Sequence, residues 1–172
     1  MILRPLNMDD KDEAMQAHRE LALDGFDFLL DSFDEKESWT SFLKRVDSVQ
    51  RGENLPSGYV SAAFLVAEVD GQIVGRVSIR HKLNEFLERR GGHIGYGIRP
   101  EFRGRGFATE ILLRALEITR TLGIERVLIT CNGANTASSR VIEKCGGILE
   151  NIVELDDGEK LRRYWIVSEL SQ

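Results

Sequence analysis

Arginine and glycine alternate at residues 103–106, a pattern suited to binding a pyrophosphate. A strand-like alternation of apolar and polar residues precedes this segment and a helical pattern follows it, which predicts a tight loop at a helix N-terminus. The backbone N–H groups of such a loop converge at the positive end of the helix dipole. Gly104 and Gly106 allow a positive φ and close approach of a ligand, while Arg103 and Arg105 add positive charge. The segment therefore predicts an anion site for a pyrophosphate.

Three other interpretations of this loop are a dinucleotide-binding fingerprint, a Walker loop and a turn without a ligand. A dinucleotide fingerprint needs G-x-G-x-x-G, and residues 104–109 lack the third glycine, although Glu125 lies about where a ribose-binding acid would stand. The loop also follows the fourth predicted strand, after a hairpin, rather than opening a first βαβ unit. A Walker loop is excluded because no Gly-Lys-Ser/Thr follows. A glycine-containing turn without a ligand remains open for the loop taken alone.

A second motif, N-x-x-S-x-x-V-I-E-K-x-G, runs from Asn135 to Gly146. Asn135 is predicted to cap the helix that begins there. A capping residue at a helix N-terminus also stands where a ligand can be contacted, so the two roles are compatible.

Together, R-x-x-G-x-A at residues 103–108 and the second motif resemble the GNAT acyltransferase superfamily, and the element order is similar over nearly the whole chain. The resemblance implies that the loop amides hold the pyrophosphate of coenzyme A, that the end of the fourth strand pairs with the pantetheine arm, and that the second motif contacts that arm. The cofactor-binding residues it implies are Ile98, Arg99, Arg103, Gly104, Arg105, Gly106, Phe107, Ala108, Thr109, Asn135 and Ser138.

The implied activity is transfer of an acetyl group from acetyl-coenzyme A to a primary amine of a small molecule or peptide. The amine would attack the thioester directly in a ternary complex. The alternative is a module that binds or senses coenzyme A without catalysis.

One position departs from the family pattern. Many members have a tyrosine, proposed to protonate the departing thiolate, where this chain has Ile142, and Gly147 replaces the usual phenylalanine. The N-x-x-S form resembles instead the subgroup acting on ribosomal-protein N-termini and its small-molecule relatives. The thiolate acid is therefore unassigned. A thiol with a pKa near 8.5, like that of cysteine, can nevertheless depart unassisted near neutral pH.

The candidates for the general base are Glu68, His93 and Tyr96, because the resemblance places the base on the second to fourth strands. Each has a structural interpretation as well: a solvent-facing strand residue, a polar residue at a strand edge, and a packed aromatic ring with an outer hydroxyl.

Candidates for acceptor binding lie between the first two predicted helices, where Phe26 and Phe28 alternate with Asp27 and Asp31. Aromatic residues at such a connection usually pack in the core, but the resemblance places this connection over the acceptor site. Residues 1–40 also hold 11 of the 28 acidic residues and 4 of the 23 basic ones. That excess indicates either solvated helix faces or attraction of a cationic acceptor.

Length and composition limit the number of domains and the classes of partner that are expected. The 172 residues predict a single domain, 1–172, and the net charge of −5 argues against a nucleic-acid partner. No apolar run approaches the roughly 20 residues that span a bilayer, so no membrane partner is expected. Two cysteines without metal spacing predict no metal site. With no export signal, a cytoplasmic protein is expected, as a monomer or homodimer.

The elements that must position these residues follow from periodicity and turn signals. The predicted strands are 1–6, 61–69, 72–81, 93–99, 127–131, 148–155 and 161–168, and the predicted helices are 7–23, 35–50, 82–90, 107–122 and 135–145. The almost wholly apolar fifth strand is expected to be central. With the resemblance, this order implies an α/β (mixed α+β) GNAT fold. Its single mixed, mostly antiparallel sheet has about seven strands, splayed between the fourth and fifth, with helices on both faces.

Overall fold

The computed structural model of the protein describes residues 1–30 and 33–167. Its strands are β1 (Ile2–Arg4), β2 (Ala62–Val69), β3 (Gln72–Arg80), β4 (Ile94–Ile98), β5 (Arg126–Asn132), β6 (Ile148–Glu154) and β7 (Lys160–Val167). Its α-helices are α1 (Lys11–Ala22), α2 (Trp39–Arg51), α3 (Glu85–Arg89), α4 (Phe107–Thr121) and α5 (Thr136–Lys144). Short 3₁₀ turns precede α1, at Met8–Asp10, and follow β4, at Pro100–Phe102.

The strands form two antiparallel sheets, ordered β1-β2-β3-β4 and β5-β7-β6. The sheets meet at one isolated bridge between Gly92 and Ile129, and the His93 N–H donates to the Leu128 carbonyl over 2.7 Å. A Cβ on Gly92 would lie 2.3 Å from the Leu128 oxygen, so this close approach requires glycine. The predicted mixed α/β fold is confirmed. The single mixed sheet that the sequence predicted is instead two antiparallel sheets, because β4 and β5 part at the predicted splay and the sheets share only this bridge among the described residues.

The position of β5 differs from the expectation that it is central. Within its sheet β5 pairs with β7, and β7 is the strand with neighbours on both sides. The apolar character of β5 comes instead from burial, because Val127 and Ile129 belong to the cluster that contains Ile111 and Leu112 of α4.

Two hydrophobic clusters cover opposite faces of the first sheet. One joins Leu65, Val77 and Ile94 to α4, and the other joins Phe64 and Val66 to α1 and α2. Because neighbouring residues of a strand point to opposite faces, this division confirms helices on both faces.

Side-chain caps set the helix starts that periodicity misplaced. α2 begins at Trp39 rather than residue 35 because the Ser38 hydroxyl accepts from the Ser41 N–H over 3.2 Å. α3 begins at Glu85 rather than residue 82 because Asn84 accepts from the Leu87 N–H over 2.9 Å. Such caps satisfy N–H groups that have no partner within the helix.

Candidate active site

A cleft of about 1070 Å³ opens where the two sheets part. Its walls come from β4, the loop after it, the first turn of α4, the end of β5 and the first turn of α5. The wall residues with predicted roles are Phe26, Tyr96, Ile98, Arg103, Gly104, Gly106, Phe107, Ala108, Thr109, Asn135 and Ser138. The cleft therefore brings the two sequence motifs together.

The loop before α4 has the predicted conformation. Gly104 and Gly106 have φ values of +75° and +83°, in the left-handed region that favours glycine. Gly106 is the N-cap of α4, and no side chain caps that helix. The N–H groups of the first turn thus point toward the cleft at the positive end of the helix dipole, an arrangement that binds phosphate.

The two arginines of the loop differ in position. The Arg103 guanidinium donates to the Asp24 carboxylate over 2.6 Å and to the Ile98 carbonyl over 3.2 Å, at the wall of the cleft. Arg105 stands over the Phe102 ring at 5.4 Å and does not line the cleft.

The edge of β4 forms another wall. Arg80 N–H donates to the His93 carbonyl, and Arg99 N–H donates to the Val74 carbonyl. Because hydrogen bonds alternate along an antiparallel pair, the intervening N–H groups of Tyr96 and Ile98 point away from β3, into the cleft. This backbone edge can pair with an extended ligand arm.

Arg99 itself is turned away from the cleft. Its guanidinium is buried and contacts Glu13, Glu20 and the Ile73 carbonyl over 2.9–3.1 Å. The side chain joins α1 to the first sheet, so any contact of Arg99 with a cofactor arm would come from its backbone.

At the opposite wall, Asn135 caps α5 by accepting from the Ser138 N–H over 3.0 Å. The Ser138 hydroxyl lies 3.0 Å from the Tyr96 hydroxyl, and this hydrogen bond joins β4 to the first turn of α5 across the cleft. Burial raises the pKa of Tyr96 to about 12. The phenol is therefore protonated at neutral pH, which favours a role as a hydrogen-bond donor over a role as a base.

The other two base candidates lie outside the cleft. The His93 Nδ1 accepts from the Leu128 N–H over 3.0 Å, which assigns the proton of the neutral ring to Nε2. Burial, and next the Arg80 charge, lower the pKa of His93. Glu68 accepts from the Arg4 guanidinium over 2.6 Å, beside β1. The geometry favours structural roles for both.

The structure places the predicted acceptor-binding residues in different environments. Phe26 lines the cleft, with its ring against Gly97 and 4.3 Å from the Arg76 guanidinium. Phe28 is fully buried in the core, which favours the packing interpretation for it. The Asp27 carbonyl accepts from Arg76 over 2.8 Å, and Asp31 lies outside the described residues.

Ile142 does not point into the cleft. It is fully buried, and a Cβ on Gly147 would lie 2.5 Å from its Cγ2. The two departures from the family pattern are thus packed against each other.

Carboxylates at the described cleft wall are Asp24 and Glu159, and each has a guanidinium partner, Arg103 and Arg90 respectively. Residues 1–30 and 33–167 contain no cluster of metal-ligating side chains. The same residues form no helix with the length and hydrophobicity needed to cross a membrane.

Comparisons with known proteins agree with this geometry. Residues 1–148 match the family model described as acetyltransferase (GNAT) domain. A mycothiol acetyltransferase of Thermobispora bispora is 31% identical over 116 residues, which are 65% of this chain and 37% of that protein. Acetyltransferase YE1169 of Yersinia enterocolitica is 36% identical over 81 residues, 47% of this chain and 54% of that protein. The chain thus spans about a third to a half of the length of these curated relatives.

Solved structures show the same fold. A putative acetyltransferase of Salmonella typhimurium, yncA, with its cofactor acetyl-CoA, superposes with a TM-score of 0.67 at 16% identity, covering 98% of this chain and 94% of that one. A chimera of spermidine N-acetyltransferase SpeG from Vibrio cholerae gives 0.66 at 19% identity, covering 98% and 96%. The microcin C7 self-immunity acetyltransferase MccE, in complex with acetyl-CoA and AMP, gives 0.67 at 18% identity, covering 96% and 91%.

Proposed function

This chain belongs to the GNAT acetyltransferase family, and we propose that it transfers an acetyl group from acetyl-coenzyme A to a primary amine of a small molecule or peptide. The observation that carries the proposal is the cleft of about 1070 Å³ between the sheets. It has an anion-binding loop at one end and an unpaired strand edge along its wall. Two structural neighbours solved with acetyl-CoA support this cofactor, and a third neighbour, a spermidine N-acetyltransferase, supports an amine acceptor.

In this proposal the loop from Arg103 to Thr109 holds the pyrophosphate through its amides and the dipole of α4. The N–H groups of Tyr96 and Ile98 pair with the pantetheine arm or polarise the thioester carbonyl. Asn135 and Ser138 border the arm from α5. Binding both reactants in one cleft supplies much of the acceleration.

The amine nitrogen attacks the thioester carbonyl carbon, the carbon–sulfur bond breaks, and coenzyme A departs as a thiolate. Since Ile142 has no proton to give, we assign the donor role to the Tyr96 hydroxyl, which lines the cleft beside Ser138. It stabilises negative charge on the oxygen or the sulfur as a hydrogen-bond donor. The attacking amine loses its proton to water, because the described carboxylates of the cleft wall are occupied by arginines.

The second candidate is a module that binds coenzyme A without transferring an acetyl group. Two observations favour it: the aliphatic Ile142 in the usual tyrosine position, and the absence of an unpaired carboxylate or an imidazole among the described residues that line the cleft.

Calorimetry with acetyl-coenzyme A, followed by thiol release with a panel of primary amines and peptide N-termini, tests both candidates. The acetyltransferase is expected to bind one acetyl-coenzyme A and to release thiol only when an acceptor is present. Tight binding without release for any acceptor would favour the sensing module. Failure to bind acetyl-coenzyme A would overturn both.

A further inference from the structure

A second cavity, of about 580 Å³, lies between α2, the loop at residues 53–60, and the strands β2 and β3. It shares no lining residue with the cofactor cleft. Its volume falls within the range of about 300–1000 Å³ that is typical of small-molecule sites. Neither motif of the sequence predicted it.

The second cavity borders β3, the strand that pairs with β4, and no residue of β4 lines it. Ser78 lines its inner end and is paired in register with Gly95 of β4, and the Ser78 hydroxyl donates to the Gly95 carbonyl over 3.4 Å. The next residue, Tyr96, lines the cofactor cleft. Gly95 itself lines neither space. The side chains of Ser78 and Arg80, which line the second cavity, stand within 3.8 Å of the position that a Cβ on Gly95 would take, so the second cavity ends against β4 at these two side chains.

The walls of the second cavity are mainly apolar. They comprise Val46 and Val49 of α2, Val60 and Phe64 at β2, and Phe86 and Leu87 of α3. Phe86 is 66% exposed, so a large apolar ring stands in water beside the cavity. Such walls favour an apolar ligand body, because burying it removes both surfaces from water.

The three serine hydroxyls in these walls already have protein partners. Ser41 donates to the Glu37 carboxylate over 3.1 Å, and Ser48 donates to the Glu53 carbonyl over 2.8 Å. Ser78 is bonded to Gly95, as described above. These three hydroxyls therefore offer a polar ligand body little replacement for its hydrogen bonds to water.

The charges in these walls oppose a polycation. The one carboxylate among the described lining residues, Glu53, is paired with Arg51 over 3.1 Å. Lys44, Arg45 and Arg80 also line the cavity, and Lys44 has no ion pair with any described residue. Recognition of several ammonium groups needs carboxylates, whereas these walls present mainly positive charge.

We infer that the second cavity holds the body of the acceptor, and that the acceptor is a primary amine on an aromatic or branched aliphatic body rather than a polyamine. This inference rests on the proposed acetyl transfer, since the amine must reach a thioester beside β4. It assigns to this chain an acceptor class that differs from the spermidine named for its structural neighbour.

Substitution of Val49 by aspartate tests the inference, with Gln50→Asp as the matched control. Val49 lines the second cavity, while Gln50 is exposed on the same helix and does not. The probes are phenethylamine and putrescine, and their affinities are measured by calorimetry in the presence of coenzyme A, so the readout does not depend on catalysis. Thiol-release rates with acetyl-coenzyme A give kcat/KM for the same amines.

The wild-type protein is expected to bind phenethylamine at least about tenfold more tightly than putrescine, and Val49→Asp is expected to weaken phenethylamine binding at least about tenfold. Gln50→Asp is expected to leave phenethylamine binding unchanged, and both variants are expected to keep wild-type affinity for acetyl-coenzyme A. Thermal unfolding of both variants verifies that they are folded.

The results separate the inference from the proposed function. Preference for putrescine, absence of phenethylamine binding, or equal effects of the two substitutions would overturn the inference, even while acetyl-coenzyme A binding and acetyl transfer persist. Loss of acetyl-coenzyme A binding in the wild type would instead overturn the proposed function, on which the inference depends.

Discussion

Tyr96 is the residue at which the two sides of the site meet. Its hydroxyl lies 3.0 Å from that of Ser138, so β4 and the first turn of α5 are joined through these two side chains. Burial raises the pKa of the phenol to about 12, and the proton therefore stays in place throughout the working range of pH. A group of this kind donates hydrogen bonds to developing negative charge but cannot accept the amine's proton.

Replacement of Tyr96 by phenylalanine is expected to lower kcat by about 10- to 100-fold, because one hydrogen-bond donor to the transition state is lost while the ring remains. The KM for acetyl-coenzyme A is expected to stay near its wild-type value. Steady-state kinetics of thiol release measure both constants. Ser138→Ala is the control, since it removes the partner of the hydroxyl and leaves the donor. An unchanged kcat in Tyr96→Phe would contradict the assigned role.

At the scale of elements, we propose that the first turn of α4 presents its backbone donors to an anion. Gly106 starts the helix with a φ of +83°, and no side chain occupies the donors there. The loop before it, at Pro100–Phe102 and the two glycines, was predicted from local sequence because turn chemistry and a helix start are properties of a few neighbouring residues.

Gly106→Asp is expected to weaken acetyl-coenzyme A binding by about 10- to 100-fold, because a carboxylate would stand where the pyrophosphate is proposed to bind. Gly123→Asp is the matched control. Gly123 follows the other end of α4 with a φ of +72°, and neither site has an atom within 4 Å of an added Cβ. Both changes therefore cost a similar strain, on the order of 1 kcal/mol. Calorimetry measures the affinities, and equal losses in the two variants would show that strain rather than charge is responsible.

At the scale of the whole molecule, the sequence could predict the features that depend on a few neighbouring residues. Strand alternation, turn residues and caps predicted the order of elements, and the two predicted motifs line one cleft between the sheets. Contacts between distant segments had no such signal. The Tyr96–Ser138 hydrogen bond joins residues 42 positions apart, and the His93 imidazole is held by the Leu128 N–H across the splay.

The second cavity also depends on contacts between distant segments, so the local sequence did not predict it. Its walls combine α2, a loop, two strands and α3, and each of these contributes only one side of the space. In the sequence, the spacing of apolar residues such as Val49 predicts only an ordinary buried face of a helix. Only the packing of α2 against the sheet decides whether that stripe is filled or leaves a void.

Loss of the amine's proton depends on the whole site rather than on one residue. It therefore predicts how kcat/KM changes with pH. If the amine loses its proton to water, kcat/KM at saturating acetyl-coenzyme A is set by the fraction of uncharged amine. An alkyl ammonium has a pKa of about 10, so kcat/KM should rise about tenfold per pH unit between about pH 6 and 9. Tyr96, with a pKa of about 12, adds no bend in this range.

Two primary amines of similar size but different pKa provide the measurement. Each pH profile should bend at the pKa of its own amine, and the amine of lower pKa should reach its plateau first. A protein base with a pKa near 7 would instead impose a common bend near about pH 7 on both amines. A common bend that persists in Tyr96→Phe and disappears in Glu159→Gln would assign the base to the β6–β7 hairpin, and would contradict direct loss of the proton to solvent.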